Sequence, residues 1–123
     1  MKCVYFVPIA AILMATPAQP AALDRAGLMQ ELRLFAETSG TLLGALETCR
    51  EFEQSRRLGR RTEAVLEIFL QPRGVRHMLA TMTVSADRDI AAHEVCDFRE
   101  IERLTEQATS SAGRLSDHLS TLD

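Results

Sequence analysis

The 123-residue sequence lacks tryptophan and contains only one tyrosine, one lysine and five phenylalanines. Sites for sugars and nucleobases rely on aromatic rings for stacking, so this composition provides no clear platform for either ligand. The formal net charge is −3, whereas a general nucleic-acid binder needs a basic surface to neutralise phosphates. The composition therefore argues against nucleic acid as a partner.

Catalytic and cofactor motifs are also missing. The chain has no Gly-x-Ser-x-Gly, no Cys-x-x-Cys, no His-Glu-x-x-His and no phosphate-binding glycine loop. Neighbouring carboxylates such as Glu51 and Glu53 point to different faces of a helix and are typical of a solvated surface. We therefore predict no catalytic residue, no metal site and no cofactor, in a protein that is not an enzyme.

The N-terminus has the layout of a secretory signal peptide. Lys2 provides the charged region, residues 4–15 form an apolar run, and small residues follow around Ala18. The run is shorter than the roughly 18 to 20 residues of a bilayer-spanning helix. We predict a signal peptide over residues 1–18 and a single periplasmic or secreted domain over 19–123, with no stable membrane span after cleavage. The alternatives are an uncleaved anchor or cleavage at another alanine: Ala15, Ala21 or Ala22.

Two cysteines, Cys49 and Cys96, lie beyond the predicted signal peptide, with which Cys3 would be removed. In an oxidising compartment, an even pair of cysteines in a small domain is typically a disulfide. A link between residues 47 apart removes roughly 4 kcal/mol of chain entropy from the unfolded state. We predict a Cys49–Cys96 disulfide, and a Cys96 nucleophile assisted by His93 is the less favoured alternative.

The spacing of apolar residues predicts helices throughout. After Asp24, a candidate N-cap, apolar and small residues recur every three or four positions as far as Cys49, which lines one face of a long helix. Gly40 and Gly44 lower helix propensity, so we expect either a bend in the helix near Gly40 or a neighbouring helix packed close against the small residues Ala36, Gly40 and Gly44.

The middle of the chain divides into shorter pieces. Leu58 and Gly59 are expected to end the first helix, and a helical segment follows over residues 61–70. The letters QPRG at 71–74 predict a turn, and TVSADRD at 83–89 predicts a loop or a break.

A capping box predicts the start of the last helix. Asp97 is followed three residues later by Glu100, so a helix should begin at Phe98 and reach about Leu122. The predicted fold is all-α: a small helical bundle built on two long antiparallel helices, joined by one disulfide, with two shorter connecting helices.

Charge is distributed unevenly along the chain, with arginines in the middle and carboxylates toward the end. One interpretation of this charge distribution is a solvated surface whose positive and negative halves neutralise each other. The other is an interaction patch for an unknown protein or an anionic envelope partner. The residues of this predicted patch are Arg56, Arg57, Arg60, Arg61, Arg73 and Arg76. The sequence does not decide whether the protein is a monomer or a homodimer.

The run RRTEAVLEIFLQPRGVR, from Arg60 to Arg76, lies between a long first helix ending in a cysteine and a second cysteine before the last helix. In this arrangement the exported chain resembles a family of small uncharacterised bacterial exported proteins with two cysteines. The resemblance implies the helical architecture with its disulfide and brings no activity.

We predict a non-catalytic exported protein, an interaction or envelope-associated scaffold. The first alternative is a small periplasmic chaperone of the acid-stress type, because protonation of its seventeen carboxylates would leave thirteen arginines unbalanced and loosen the packing. The lesser alternative is a copper- or haem-binding bundle. Its candidate ligands are His77, Met78, Met82, His93 and Cys96 for copper, and Met29 and His118 for haem.

Overall fold

The computed structural model describes residues 23–122, which form four helices. These are α1 (Arg25–Thr48), α2 (Phe52–Phe69), α3 (Pro72–Ala92) and α4 (Phe98–Ser120). This part of the chain contains no strand, so the predicted all-α bundle is confirmed. None of these helices is both long enough and apolar enough to cross a membrane. The predicted signal peptide lies outside the described residues.

Local signals set both ends of α1. The carboxylate of Asp24 accepts a hydrogen bond from the main-chain N–H three residues later, as expected of an N-cap. Arg50 then adopts a left-handed conformation with φ of 61°, and its N–H returns to the carbonyl of Glu47 at 3.0 Å. The prediction that the first helix reaches Leu58 and Gly59 is wrong, because both residues lie inside α2. No glycine marks the true stop.

The closest helix contact is between α1 and α3, along what we call the α1–α3 seam: Gly40 and Gly44 against Met82 and Ala86. A Cβ at Gly40 would overlap the main-chain oxygen of Met82, and one at Gly44 would lie 2.6 Å from that of Ala86. The predicted close packing against small residues is therefore confirmed. Its partner is α3, which makes the most extensive contact with α1.

Packing also extends α3 beyond its predicted end. The loop predicted at 83–89 is wrong, because α3 is continuous to Ala92. Ser85 and Ala86 are buried within this stretch, so tertiary burial outweighs the modest helix propensity of its Thr, Val, Ser and Asp residues. The turn predicted at 71–74 is shorter than expected, since Pro72 already occupies the first position of α3.

The first and last helices are antiparallel, as predicted, and are joined at both ends. At one end Cys49 is bonded to Cys96. Toward the other end, the carboxylate of Glu31 in α1 accepts hydrogen bonds from the Ser111 hydroxyl at 2.6 Å and from Nε of Arg114 at 2.7 Å. These contacts fix the register of α1 against α4 along most of their length.

The apolar core consists of two clusters, both centred on α1. The cluster far from the disulfide contains residues from all four helices: Leu32, Phe35, Ala36, Leu66, Val75, Met78 and Leu115. The cluster near the disulfide lies between α1 and α4: Leu42, Ala45, Leu46, Leu104 and Ala108. Helix α2 contributes only Leu66 to this buried set, so it is the helix least anchored by apolar burial.

Replacing Gly40 with alanine should destabilise the fold, because the added methyl group would meet the main chain of α3. We expect a loss of about 1–3 kcal/mol in the free energy of unfolding, measured by urea denaturation. Gly113→Ala is the matched control. A Cβ at Gly113 meets no atom within 4 Å, so helix propensity should raise stability by up to about 1 kcal/mol. Equal effects of the two changes would contradict the proposed role of the seam.

The Glu31 contacts predict a pH-dependent contribution to stability. Burial raises the pKa of this carboxyl, but hydrogen bonds from Arg114 and Ser111 and the arginine charge outweigh that effect, so the pKa is lowered below its ordinary 4.5. A lowered folded-state pKa gives stability that is complete above the unfolded-state value and is lost as the pH falls through the folded-state value.

Glu31→Gln should therefore lower the free energy of unfolding by about 1–2 kcal/mol at pH 7. The deficit should shrink below about pH 4.5, since the wild-type carboxylate then becomes protonated as well. Urea denaturation at pH 7, 4 and 3 measures the difference. Glu37→Gln, at an exposed position further along α1, is the control and should have little effect at any of these values. A Glu31→Gln deficit that is the same at pH 7 and pH 3 would refute the assignment.

Candidate functional site

The thiol of Cys96 is not free. Its sulfur is bonded to that of Cys49, and the two Cα atoms lie 4.7 Å apart, within the usual range for a disulfide. The predicted pairing is confirmed. A bonded sulfur is neither a nucleophile nor a soft metal ligand, so the alternatives that used Cys96 in those roles do not apply to this state of the protein.

Four of the six predicted patch arginines lie together on α2. Arg56, Arg57, Arg60 and Arg61, which we call the arginine face, are all exposed, and their i, i+4 spacing places them on the side of α2 opposite its buried residues. Arg57 forms an ion pair with Glu53 at 3.1 Å, in which both side chains are mostly exposed. The other three arginines form no ion pair with any carboxylate in residues 23–122.

The other two patch residues, Arg73 and Arg76, are on the first turns of α3. Both are exposed, and Arg76 lines a groove between α2 and α3 together with Glu63 and Glu67. The six predicted arginines therefore form two groups on two helices. The four arginines on α2 form the larger of the two groups.

The methionines proposed as soft ligands belong to the core. Met78 and Met82 are buried, whereas the neighbouring His77 is exposed. At the far end of the bundle, His118 is buried, and its Nδ1 accepts a hydrogen bond from the main-chain N–H of Leu23 at 3.2 Å. Met29 is exposed there. Of these candidate ligands, Met78, Met82 and His118 are therefore buried side chains of the bundle, and His77 and Met29 lie at its surface.

A cluster that the sequence analysis did not predict lies beside the disulfide. Asp89, His93 and Glu100, the His93 cluster, each offer one ligand atom, and these atoms lie within 4.8 Å of one another. Nδ1 of His93 is 3.2 Å from Oδ1 of Asp89, and Nε2 is 3.5 Å from Oε2 of Glu100. The imidazole thus lies between two carboxyl groups.

Helix geometry explains how these side chains meet. Asp89 and His93 are four residues apart at the end of α3, so they lie on one face. Asp97 caps α4 by accepting from the N–H groups of Arg99 and Glu100. The capping box predicts that the Glu100 side chain returns to Asp97, but that side chain lies against His93 instead. The sequence did not predict the Asp89–His93 pair because residues 83–89 were expected to form a loop. It did not predict the Glu100–His93 contact because these residues belong to different segments of the chain that meet only in the folded protein.

Burial and charge shift the protonation equilibria of this cluster. Burial, followed by the negative charge of Glu100, raises the pKa of Asp89. The hydrogen bond to the main-chain oxygen of Asp89, followed by the charge of Glu100, raises the pKa of His93. The side chain of Asp89 is only 4% exposed, and its Oδ2 is buried without a hydrogen-bond partner among the described residues.

A cleft of about 380 Å³ borders the cluster. It lies between α1, α3 and α4 and offers both apolar and polar wall atoms. Its lining includes Leu34, Thr38, Ser85, Asp89, His93 and Leu104. Since the His93 side chain is 44% exposed, the imidazole is open to solutes from the outside.

Comparisons with protein-family models, curated proteins and solved structures found no match to this chain. The resemblance to small exported proteins with two cysteines stays a prediction.

Proposed function

We propose that this protein is a non-catalytic, exported helical scaffold, periplasmic or secreted, that binds an acidic partner protein through the arginine face. The observation that carries the proposal is the set of three arginines, Arg56, Arg60 and Arg61, that are exposed on adjacent turns of α2 and have no described carboxylate partner. Guanidinium groups bind carboxylates through paired hydrogen bonds, so such a surface suits an acidic protein segment.

The fold does not require these arginines. Helix α2 packs through Ser55, Thr62 and Leu66 on its other side, and the arginine side chains project away from that contact. A cluster of like charges that contributes nothing to packing is more useful for association, where complementary charge speeds encounter and excludes wrong partners.

A protein partner is favoured over a lipid surface because carboxylates share the same helix. Glu53 and Glu67 lie on the exposed side of α2, at either end of the arginine face. An anionic bilayer attracts positive charge and repels carboxylates wherever they lie. A protein partner can match a mixed pattern and gain specificity from it.

The disulfide supports the exported location. Stable disulfides are typical of oxidising compartments, and in this protein one covalently joins the end of α1 to the residues before α4, which the chain otherwise connects only through α2 and α3. The N-terminal apolar run of residues 4–15 points the same way.

Site-specific photo-crosslinking tests the proposed surface. A photoreactive residue replaces exposed Ala64, which lies on the same side of α2 as the arginines, and the partner is captured in the exported fraction of the native host. The same residue at exposed Ala91 of α3 is the position control. Reversing Arg56, Arg60 and Arg61 to glutamate should lower the crosslinking yield from position 64 at least about tenfold.

The charge control reverses three exposed arginines elsewhere, so that the net charge changes equally: Arg25, Arg33 and Arg88. This variant should crosslink as the wild type does. Equal capture by the two reversed variants, or equal yield from positions 64 and 91, would contradict the proposal. Binding to phosphatidylglycerol vesicles that depends on the arginine face, with no protein captured, would assign the surface to lipid instead.

A second candidate function, a small chaperone of the acid-stress type, is favoured by the weak attachment of α2. Two of its three buried residues are polar, and the hydroxyl of Thr62 is buried without a partner among residues 23–122. If protonation of carboxylates loosens the bundle, α2 should separate first and uncover apolar core residues such as Leu32 and Met78, while the disulfide keeps α1 and α4 together.

Light scattering of an aggregating client enzyme tests this candidate. The protein should suppress aggregation at pH 3 and have little effect at pH 7. Hydrogen–deuterium exchange, corrected for intrinsic rates, should show α2 amides losing protection at pH 3 before those of α1. Suppression that is equal at the two pH values, or uniform loss of protection across all four helices, would exclude an acid-activated mechanism.

A further inference from the structure

The His93 cluster suggests a second property, independent of the arginine face. Asp89 and His93 come from the last turns of α3, and Glu100 comes from the first turn of α4. Together they offer two carboxylate groups and one imidazole, a set of oxygen and nitrogen donors that divalent transition metals bind in proteins.

The main chain fixes how the imidazole is presented. Nδ1 of His93 lies 3.0 Å from the main-chain oxygen of Asp89, and because a carbonyl oxygen only accepts hydrogen bonds, this contact is a hydrogen bond in the tautomer that carries the proton on Nδ1. In the neutral ring, the lone pair is then on Nε2, the nitrogen facing Glu100 at 3.5 Å. Metal-bound histidines characteristically donate their second N–H to a carbonyl or carboxylate in this way.

The buried oxygen of Asp89 is a separate observation. Its side chain is 4% exposed, and Oδ2 has no hydrogen-bond partner among the described residues, whereas buried carboxylate oxygens are normally satisfied. Glu100, only 14% exposed, also lies close to this carboxyl group. Two carboxyl groups held together this way repel each other when both are ionised, and a cation between them removes the repulsion.

We propose that Asp89, His93 and Glu100 form a binding site for a divalent transition-metal ion, Zn²⁺ being the reference ion, held by two carboxylate oxygens and Nε2. When both carboxyl groups are ionised and the imidazole is neutral, as in a metal-bound site, the three side chains carry a combined charge of −2, which matches a divalent cation. In a tetrahedral zinc site with bonds of about 2.0–2.1 Å, neighbouring donor atoms are roughly 3.3 Å apart. Nε2 of His93 and Oε2 of Glu100 are 3.5 Å apart, and the three ligand atoms lie within 4.8 Å of one another, so the donors draw closer together when the ion binds.

The surrounding structure holds the donors in place. Asp89 packs against α1: a Cβ added at Gly44 would lie 3.1 Å from the Cβ of Asp89. The disulfide anchors Cys96, four residues before Glu100, to the end of α1. The exposed edge of His93 borders the cleft, so a water molecule or a small anionic ligand can reach the remaining coordination position.

Zinc titration of the untagged, oxidised chain tests the site. After treatment with a chelator, the protein is titrated with ZnCl₂ at pH 7.5 by calorimetry, and the imidazole nitrogens are followed by ¹⁵N NMR. We expect one Zn²⁺ per chain and a shift of the Nε2 resonance of His93. Asp89→Asn, His93→Gln and Glu100→Gln should each weaken binding at least about tenfold.

Two matched controls lie outside the cluster: exposed His77 on the same helix and exposed Glu94 in the following loop. His77→Gln and Glu94→Gln should bind Zn²⁺ as the wild type does. MgCl₂ should compete poorly, because Mg²⁺ prefers oxygen donors. If the buried Asp89→Asn change prevents folding, the more exposed His93→Gln variant still tests the metal site. Circular dichroism and the mass of the chain with its disulfide intact check that this variant is folded.

Three results would overturn the proposal. They are failure of the wild type to take up Zn²⁺, uptake that is unchanged in His93→Gln, and an imidazole that keeps both protons at saturating Zn²⁺. The last result would make His93 a cation that bridges Asp89 and Glu100 in place of a metal ion.

Discussion

The contact of two main chains at the α1–α3 seam determines much of this structure. Gly40 and Gly44 let α3 approach α1 more closely than any side chain would allow. The approach buries Met82 and Ala86, keeps α3 helical through residues 83–89, and carries Asp89 into the interior. Burial of Asp89 next to Glu100 then creates the charged cluster at the disulfide end. A packing constraint on two glycines thus has an electrostatic consequence two turns away.

The disulfide and the α1–α3 seam hold different helices of the bundle against α1. The Cys49–Cys96 bond joins α1 to α4 at one end, and the Glu31 contacts join them toward the other, while the seam holds α3. Helix α2 has neither a covalent link nor a close main-chain contact, and it buries three residues. The helix that contributes least to the apolar core therefore carries the arginine face.

The two candidate sites have opposite charge and lie on different elements. The arginine face belongs to α2 alone, whereas the His93 cluster depends on α3 and α4 meeting beside the disulfide. The two sets share no residue, so each can be substituted without changing a residue of the other.

Local sequence determined the elements whose signals are contained within a few residues. Asp24 and Asp97 mark helix starts because their carboxylates reach nearby N–H groups, and the two cysteines beyond the N-terminal apolar run are bonded to each other. Tertiary structure decided what depends on distant residues. Helix α1 ends before Arg50, which adopts a left-handed conformation although it is not a glycine. Helix α3 continues past residue 83 because its side chains are buried against α1. The His93 cluster forms only when two helices meet, since helical periodicity specifies faces and not which faces become neighbours.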